Sequence, residues 1–170
     1  LKNILALGAG IIDGLGFGDN AKAAYITRGL TEITALGMAL GGNPLTFSGL
    51  AGMGDVITTC ASPLSRNHYV GVELAKGRAL ADILESMHEV AEGVNTTLVA
   101  RSIAQQMGLE MPITEKIYGV LYEHADCKKS ALALMGGNVR HELAGRRWRL
   151  FSLFRHQQRA NESNGNGVKH

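Results

Sequence analysis

The chain has 170 residues, of which 45% are hydrophobic and 19% charged, and a formal net charge of +2. That length suffices for one domain with a real core, the composition excludes a disordered chain, and so small a charge gives no argument for a nucleic-acid partner. No run of about 18 apolar residues occurs and no secretory pattern opens the chain, so neither a membrane span nor a signal peptide is expected.

The 22 glycines exceed the usual share of about 7% and predict tight turns and close backbone approach. Cys60 and Cys127 lack metal or redox spacing, which predicts free buried thiols in a reducing compartment. The first apolar stripe is Leu1, Ile4, Leu5, Gly8, Ile11, Ile12 and Leu15, a helix whose Gly8 and Gly10 leave room for a neighbour. Asp13 to Asn20 reads as a loop with Asp19 as the next N-cap, and Ile26, Leu30, Ile33 and Leu40 form one face of the following helix.

Asn43-Pro44 reads as a cap followed by proline at the first helical position. Gly49, Gly52 and Gly54 interrupt the pattern before Val56-Ile57, and Ser62-Pro63 opens a helix that ends near Gly77. Leu80, Ile83, Leu84 and Met87 give a further helical stripe, and His88 to Gly93 reads as a loop. Val99, Ile103 and Met107 mark a helix closed by Gly108, Pro112 opens one with Ile113, Ile117, Val120 and Leu121 inward, and a last helix covers Lys129 to Met135. No alternating strand pattern occurs, so the expected fold is all-α.

The character changes after Glu142, where Arg146, Arg147, Arg149, Arg155 and Arg159 interleave with Trp148, Leu150, Phe151, Leu153 and Phe154. Residues 1–142 are therefore read as the helical domain and 143–170 as a basic, poorly ordered extension. The sharper alternative is an amphipathic stretch touching anionic lipid or a partner helix.

Gly8-Ala9-Gly10 and Gly14-Leu15-Gly16 look like pieces of a dinucleotide-binding loop. The fingerprint requires G-x-G-x-x-G between a strand and a helix, whereas positions 13 and 19 are Asp and no strand precedes either. No dinucleotide fold is expected within this chain.

Three segments have chemistry suited to a small substrate carrying a carbonyl and a phosphate. Lys2 is a protonated donor at neutral pH that can supply a proton to a developing alkoxide, with Asp55 as the candidate to hold it. Ser65-Arg66-Asn67 lies near a helix start, where backbone N–H groups, a planar guanidinium and an amide suit an anion. Each feature alone is commonly a surface charge or a cap. Thr58-Thr59-Cys60 lies beside Asp55, but no Cys/His dyad is visible and a structural thiol is the simpler reading. His68, His88, His124, His141, His156 and His170 show no metal-ligand spacing, so no metal site is expected.

Taken together, Leu1-Lys2-Asn3-Ile4, Asp13 to Asn20, Ala23 to Glu32, Leu50 to Asp55, Thr58-Thr59-Cys60, Ser65-Arg66-Asn67, Val90-Ala91-Glu92-Gly93 and Met111-Pro112-Ile113 resemble the C-terminal catalytic domain of NAD(P)-dependent glycerol-3-phosphate dehydrogenases. The bacterial form, with Ser62-Pro63-Leu64-Ser65, is the closer relative, and the resemblance runs from Leu1 to about Glu142. It implies a helical domain of the 6-phosphogluconate dehydrogenase C-terminal type and the interconversion of sn-glycerol 3-phosphate and dihydroxyacetone phosphate, a supply of phospholipid backbone in the cytoplasm. It also implies that Lys2 is the proton donor or acceptor at the substrate C2 oxygen. Asn3, Asp55, Thr59, Ser65, Arg66 and Asn67 match substrate-pocket positions, and Arg66, Val90 and Glu92 match positions reaching the cofactor, NAD or NADP.

The family's dinucleotide-binding domain would precede Leu1, and without it the chain is expected to show little or no activity. A homodimer stays open. So do two competing readings: the helical domain of a related hydroxy-acid or sugar dehydrogenase, and a non-catalytic helical interaction module. The tail after Glu142 is left as a lineage-specific extension, a cloning artefact or a frame error.

Overall fold

A computed structural model describes residues 1–136. Among them there is no strand, as expected, and the elements in order are α1 (Lys2–Gly14), α2 (Asp19–Ala39), α3 (Pro44–Ser48), α4 (Leu50–Ala61), α5 (Arg66–Ala75), α6 (Leu80–Glu85), α7 (Glu92–Gln106), α8 (Pro112–Tyr122) and α9 (Cys127–Gly136). Leu1–Met135 form one compact unit. The expected boundary at Glu142 and the arginine-aromatic stretch lie outside the described residues.

The organising element is α1. Its apolar spacing predicts one stripe, yet every residue from Ile4 to Ile12 is buried. A helix that is apolar all round belongs inside a core, and α5, α4, α7, α2 and α8 surround this one, with α5 in the most extensive contact. The intimacy of α1 and α5 has a simple cause. Gly10 lies on the carbonyl of His68, and Gly71 lies on the carbonyl of Leu7, so a Cβ at either position would strike backbone. Gly8 likewise leaves room for the Tyr25 ring. Fully buried Ile4 and Leu7 each contribute roughly 1.5–3 kcal/mol through apolar burial.

The structure corrects several boundaries. Asp13 is the penultimate residue of α1, and Gly18 rather than Asp19 is the N-cap of α2. Leu40 follows α2 and is 59% exposed, while Tyr25, Glu32 and Leu36 join Ile26 and Ile33 in the buried set. Gly52 and Gly54 lie inside α4, because Gly52 packs on the carbonyls of Thr46 and Phe47 rather than ending a helix. Ser62-Pro63-Leu64 is a turn, with the Leu64 N–H donating to Ser62 Oγ, and the helix begins three residues later under Ser65. In α7 the buried residues are Gly93, Val94, Thr97, Ala100 and Ala104, whereas Val99 is 59% exposed. Of the predicted stripe only Ile103 packs against the core, and small side chains such as Ala100 and Ala104 make up much of the buried face.

Other signals stand as read. Asn43 Oδ1 accepts from Leu45 N at 2.9 Å with Pro44 at the first position. Gly77 and Gly108 follow α5 and α7 at φ +87 and +64, the left-handed conformation in which glycine ends helices. Ile113, Ile117, Val120 and Leu121 are buried in α8.

The start of α8 is sealed by a residue from α2. Glu32, 7% exposed, accepts from Ile113 N at 2.8 Å, Thr114 N at 2.9 Å and the Thr114 hydroxyl at 2.6 Å. Burial raises its carboxyl pKa, and the three donated hydrogen bonds oppose that rise. The orphan N–H groups of the helix start are thus satisfied from 82 residues away.

Candidate active site

The N-termini of α1, α5 and α7 converge near α4. Lys2, first residue of α1, donates from Nζ to Asp55 Oδ1 at 2.8 Å, with the side chains 43% and 55% exposed. Such an exposed pair contributes only about 0–1 kcal/mol to stability, so its consequence is placement of the ammonium. Asp55 lies within α4 and caps nothing. One turn later Thr59 donates its hydroxyl to the Asp55 carbonyl at 2.6 Å, leaving its oxygen free to accept.

Asn3 links α1 to α7 by donating from Nδ2 to Glu92 Oε2 at 3.3 Å. Asn67 links α5 to α7, its buried Oδ1 accepting from Gly93 N at 2.8 Å. Glycine is needed at 93 because a Cβ there would come within 2.7 Å of Asn67 Oδ1 and 2.8 Å of the Asn3 carbonyl. The side-chain oxygen of Asn67 is therefore committed to the scaffold, which leaves its NH2 as the available donor.

Ser65 is the N-cap of α5, its Oγ accepting from His68 N at 3.3 Å, and its hydroxyl proton can still donate. Arg66 opens α5 and pairs through Nη1 with Glu89 Oε2 at 2.9 Å. Val90 is exposed, two residues before Glu92, which starts α7.

The structure thus joins Lys2, Asn3, Asp55, Asn67 and Glu92 through direct contacts or through Gly93. Thr59, Ser65 and Arg66 adjoin them along α4 and α5, while Val90 lies on the exposed segment leading into α7. A cavity of about 310 Å³ lies elsewhere, bounded by α1, α2, α8 and α9 through residues such as Ile12, Tyr25, Val120 and Leu134. It contains none of the expected site residues.

Sequence reasoning missed Glu89, and it missed that Asn67 is half structural. Glu89 stands in a stretch without periodicity, 23 residues after Arg66, and nothing local relates the two. The Asn67 tie had one visible signal, Gly93 directly after the acidic start of α7.

A second polar cluster is structural. Asp13 Oδ2 is 3.0 Å from Lys22 Nζ and 2.8 Å from His68 Nε2. Burial pushes the Asp13 carboxyl up, but the hydrogen bonds from His68 and Lys22 outweigh it and hold the carboxyl below its usual value. Burial also pushes the Cys60 thiol up to about 12, which makes it a poor nucleophile. Cys127 is only half-buried, less than expected. Among the described residues no group of three or more His, Cys, Asp or Glu side chains could hold a metal.

Residues 1–131 match the family model described as the NAD-dependent glycerol-3-phosphate dehydrogenase C-terminus. The chain belongs to that family. It is 67% identical over 158 residues to a glycerol-3-phosphate dehydrogenase [NAD(P)+] of Dehalococcoides mccartyi, covering 93% of this chain and 44% of that protein. A counterpart from Thermoanaerobacter is 55% identical over 145 residues, 85% of this chain and 44% of that one. The solved glycerol-3-phosphate dehydrogenase of Coxiella burnetii superposes with a TM-score of 0.77 at 39% identity, covering 79% of this chain and 42% of its own. The Saccharomyces cerevisiae enzyme gives 0.71 at 30% identity over 78% and 39%.

The chain thus spans less than half the length of the relatives it matches. The Dehalococcoides match, at 158 residues, runs past Glu142.

Proposed function

We propose that this chain is the substrate-binding and catalytic half of a dehydrogenase that interconverts sn-glycerol 3-phosphate and dihydroxyacetone phosphate with NAD or NADP. The observation that carries the reading is the Lys2–Asp55 pair at 2.8 Å, set beside Asn3 and Asn67 in a chain of this family. In the oxidative direction Lys2, as the neutral amine, takes the proton from the C2 hydroxyl. In the reductive direction its ammonium returns that proton to the C2 oxygen. Asp55 holds the Nζ in place and stabilises its charge while the proton is on it.

Thr59 presents a hydroxyl oxygen and Asn3 an amide from the same rim. At the other end, Arg66 offers its guanidinium and Asn67 its amide group to the phosphate, and Ser65 adds a hydroxyl. The N–H groups of Arg66 and Asn67, the first two of α5, complete an anion site.

A bound nicotinamide would supply the hydride chemistry at C2. The residues at its expected position suit it: exposed Val90 offers an apolar contact, and exposed Glu92 an acceptor for an amide N–H₂. Most of the cofactor would be held by a dinucleotide-binding domain joined upstream of Leu1. The family resemblance supports a cytoplasmic reaction as part of this reading.

The test joins a dinucleotide-binding domain upstream and measures oxidation of sn-glycerol 3-phosphate. Turnover that depends on Lys2 and collapses when the phosphate is removed from the substrate is the expected result. Equal oxidation of glycerol, or turnover indifferent to Lys2, would reject the reading.

A further inference from the structure

The Arg66–Glu89 ion pair is not explained by the reaction. Arg66 Nη1 and Glu89 Oε2 are 2.9 Å apart, with side chains 53% and 69% exposed, so neither is held by packing. Glu89 lies in the segment between the end of α6 at Glu85 and the start of α7 at Glu92. Its carboxylate meets the same guanidinium that a phosphate would need.

The N–H groups of Arg66 and Asn67 beside it meet no acceptor among the described residues, because the Ser65 hydroxyl and carbonyl serve His68 and Tyr69 instead. The geometry is that of an anion site at a helix start in which one ligand, the guanidinium, is already engaged by an internal anion.

We propose that Glu89 competes with the substrate's phosphate for Arg66 and is displaced when the phosphate binds. The physical comparison favours displacement. An exposed carboxylate on one guanidinium nitrogen is a weak, screened pair. A phosphate monoester near neutral pH brings almost two charges, can take the guanidinium fork in bidentate fashion, and gains the two N–H groups at the positive end of α5. Glu89 therefore lowers the affinity for phosphorylated ligands without blocking them. Its release also frees the segment that leads into Val90 and Glu92, so phosphate capture and the approach to the expected cofactor position involve the same piece of chain.

This inference rests on the reading of Arg66 as the phosphate ligand. Calorimetric titration of the 170-residue chain with inorganic phosphate, and separately with sn-glycerol 3-phosphate, tests it in the parent, Glu89→Gln and Glu89→Ala. Both variants should bind inorganic phosphate about three- to tenfold more tightly at low salt, the gain expected from removing an exposed opposing charge. The gain should shrink as ionic strength rises. Arg66→Gln should abolish the difference between parent and variants.

Unchanged or weaker phosphate binding in Glu89→Gln overturns the proposal, since Glu89 would then orient Arg66 or do nothing. No measurable phosphate binding by parent or variants overturns it equally. If the variants tighten inorganic phosphate but the chain does not prefer sn-glycerol 3-phosphate over it, the competition stands and the substrate reading fails. If sn-glycerol 3-phosphate is preferred yet Glu89→Gln changes nothing, the substrate reading stands and the competition fails.

Discussion

Two helix starts, those of α8 and α5, treat the same problem differently. At α8 the orphan N–H groups are closed by Glu32, a buried carboxylate from α2. At α5 the cap Ser65 satisfies His68 and Tyr69, and the first two N–H groups meet no acceptor among the described residues, beside a solvent-facing guanidinium. An N-terminus sealed by a protein carboxylate serves stability, while one left partly open keeps its partial positive charge for a ligand. Burial of the anionic partner, more than the helix itself, thus separates the structural start from the one proposed to bind a ligand.

The largest expected effect falls on the proposed catalytic lysine. In the chain rejoined to a dinucleotide-binding domain, Lys2→Ala should lower kcat by about 10²–10⁴-fold, the range for a lost general acid or base. It should leave the melting temperature nearly unchanged, because the Lys2–Asp55 pair is exposed. Steady-state kinetics with thermal denaturation checks both. A large loss of stability with intact turnover would place Lys2 at the wrong end of the comparison.

Glu32→Ala should do the reverse. It strands two buried N–H groups and a buried hydroxyl, and is expected to destabilise the chain by about 2–4 kcal/mol, read by urea unfolding. Gly93→Ala sits between the two cases. Its Cβ would press on Asn67 Oδ1 and the Asn3 carbonyl, so a cost of about 1–3 kcal/mol is expected. Substrate affinity should fall with it, whereas Glu32→Ala should leave the affinity of the folded fraction alone.

The smallest effect concerns pH. Asp13 has its folded pKa held below the usual value, so its stabilising contribution is complete above the ordinary carboxylate range. That contribution is lost as pH falls through the folded pKa. Asp13→Asn should therefore be less stable than the parent at neutral pH, with the gap closing on acidification. Melting temperatures measured from pH 7 to pH 3 would show it, and a gap that widens in acid would contradict the assignment.

How much of this was legible before folding depends on the kind of contact. The Asn43-Pro44 start, the α8 stripe and the glycine stops after α5 and α7 are local devices, written within a few residues of where they act. The start of α5 was misplaced because Ser62-Pro63 and Ser65 both carry capping chemistry. Only the turn made by Ser62 and Leu64 shows which cap begins the helix. The exposed Val99 and buried Ala100 and Ala104 of α7 rotate the predicted face while Ile103 stays against the core, since that face fits small residues against neighbours that no local pattern reveals.

The sequence by itself determined an all-helical domain over the described residues, because helical periodicity, proline starts and glycine stops are short-range and repeat along them. Its order of motifs also determined the family, with Lys2, Asp55 and Arg66-Asn67 as the residues to examine. Only the tertiary structure decided that Lys2 meets Asp55, that Asn67 ties α5 to Gly93, and that Glu89 sits on Arg66. Those pairs are separated by 53, 26 and 23 positions along the chain. Side chains so far apart meet only when α1 is buried and the helices around it fix where each N-terminus emerges.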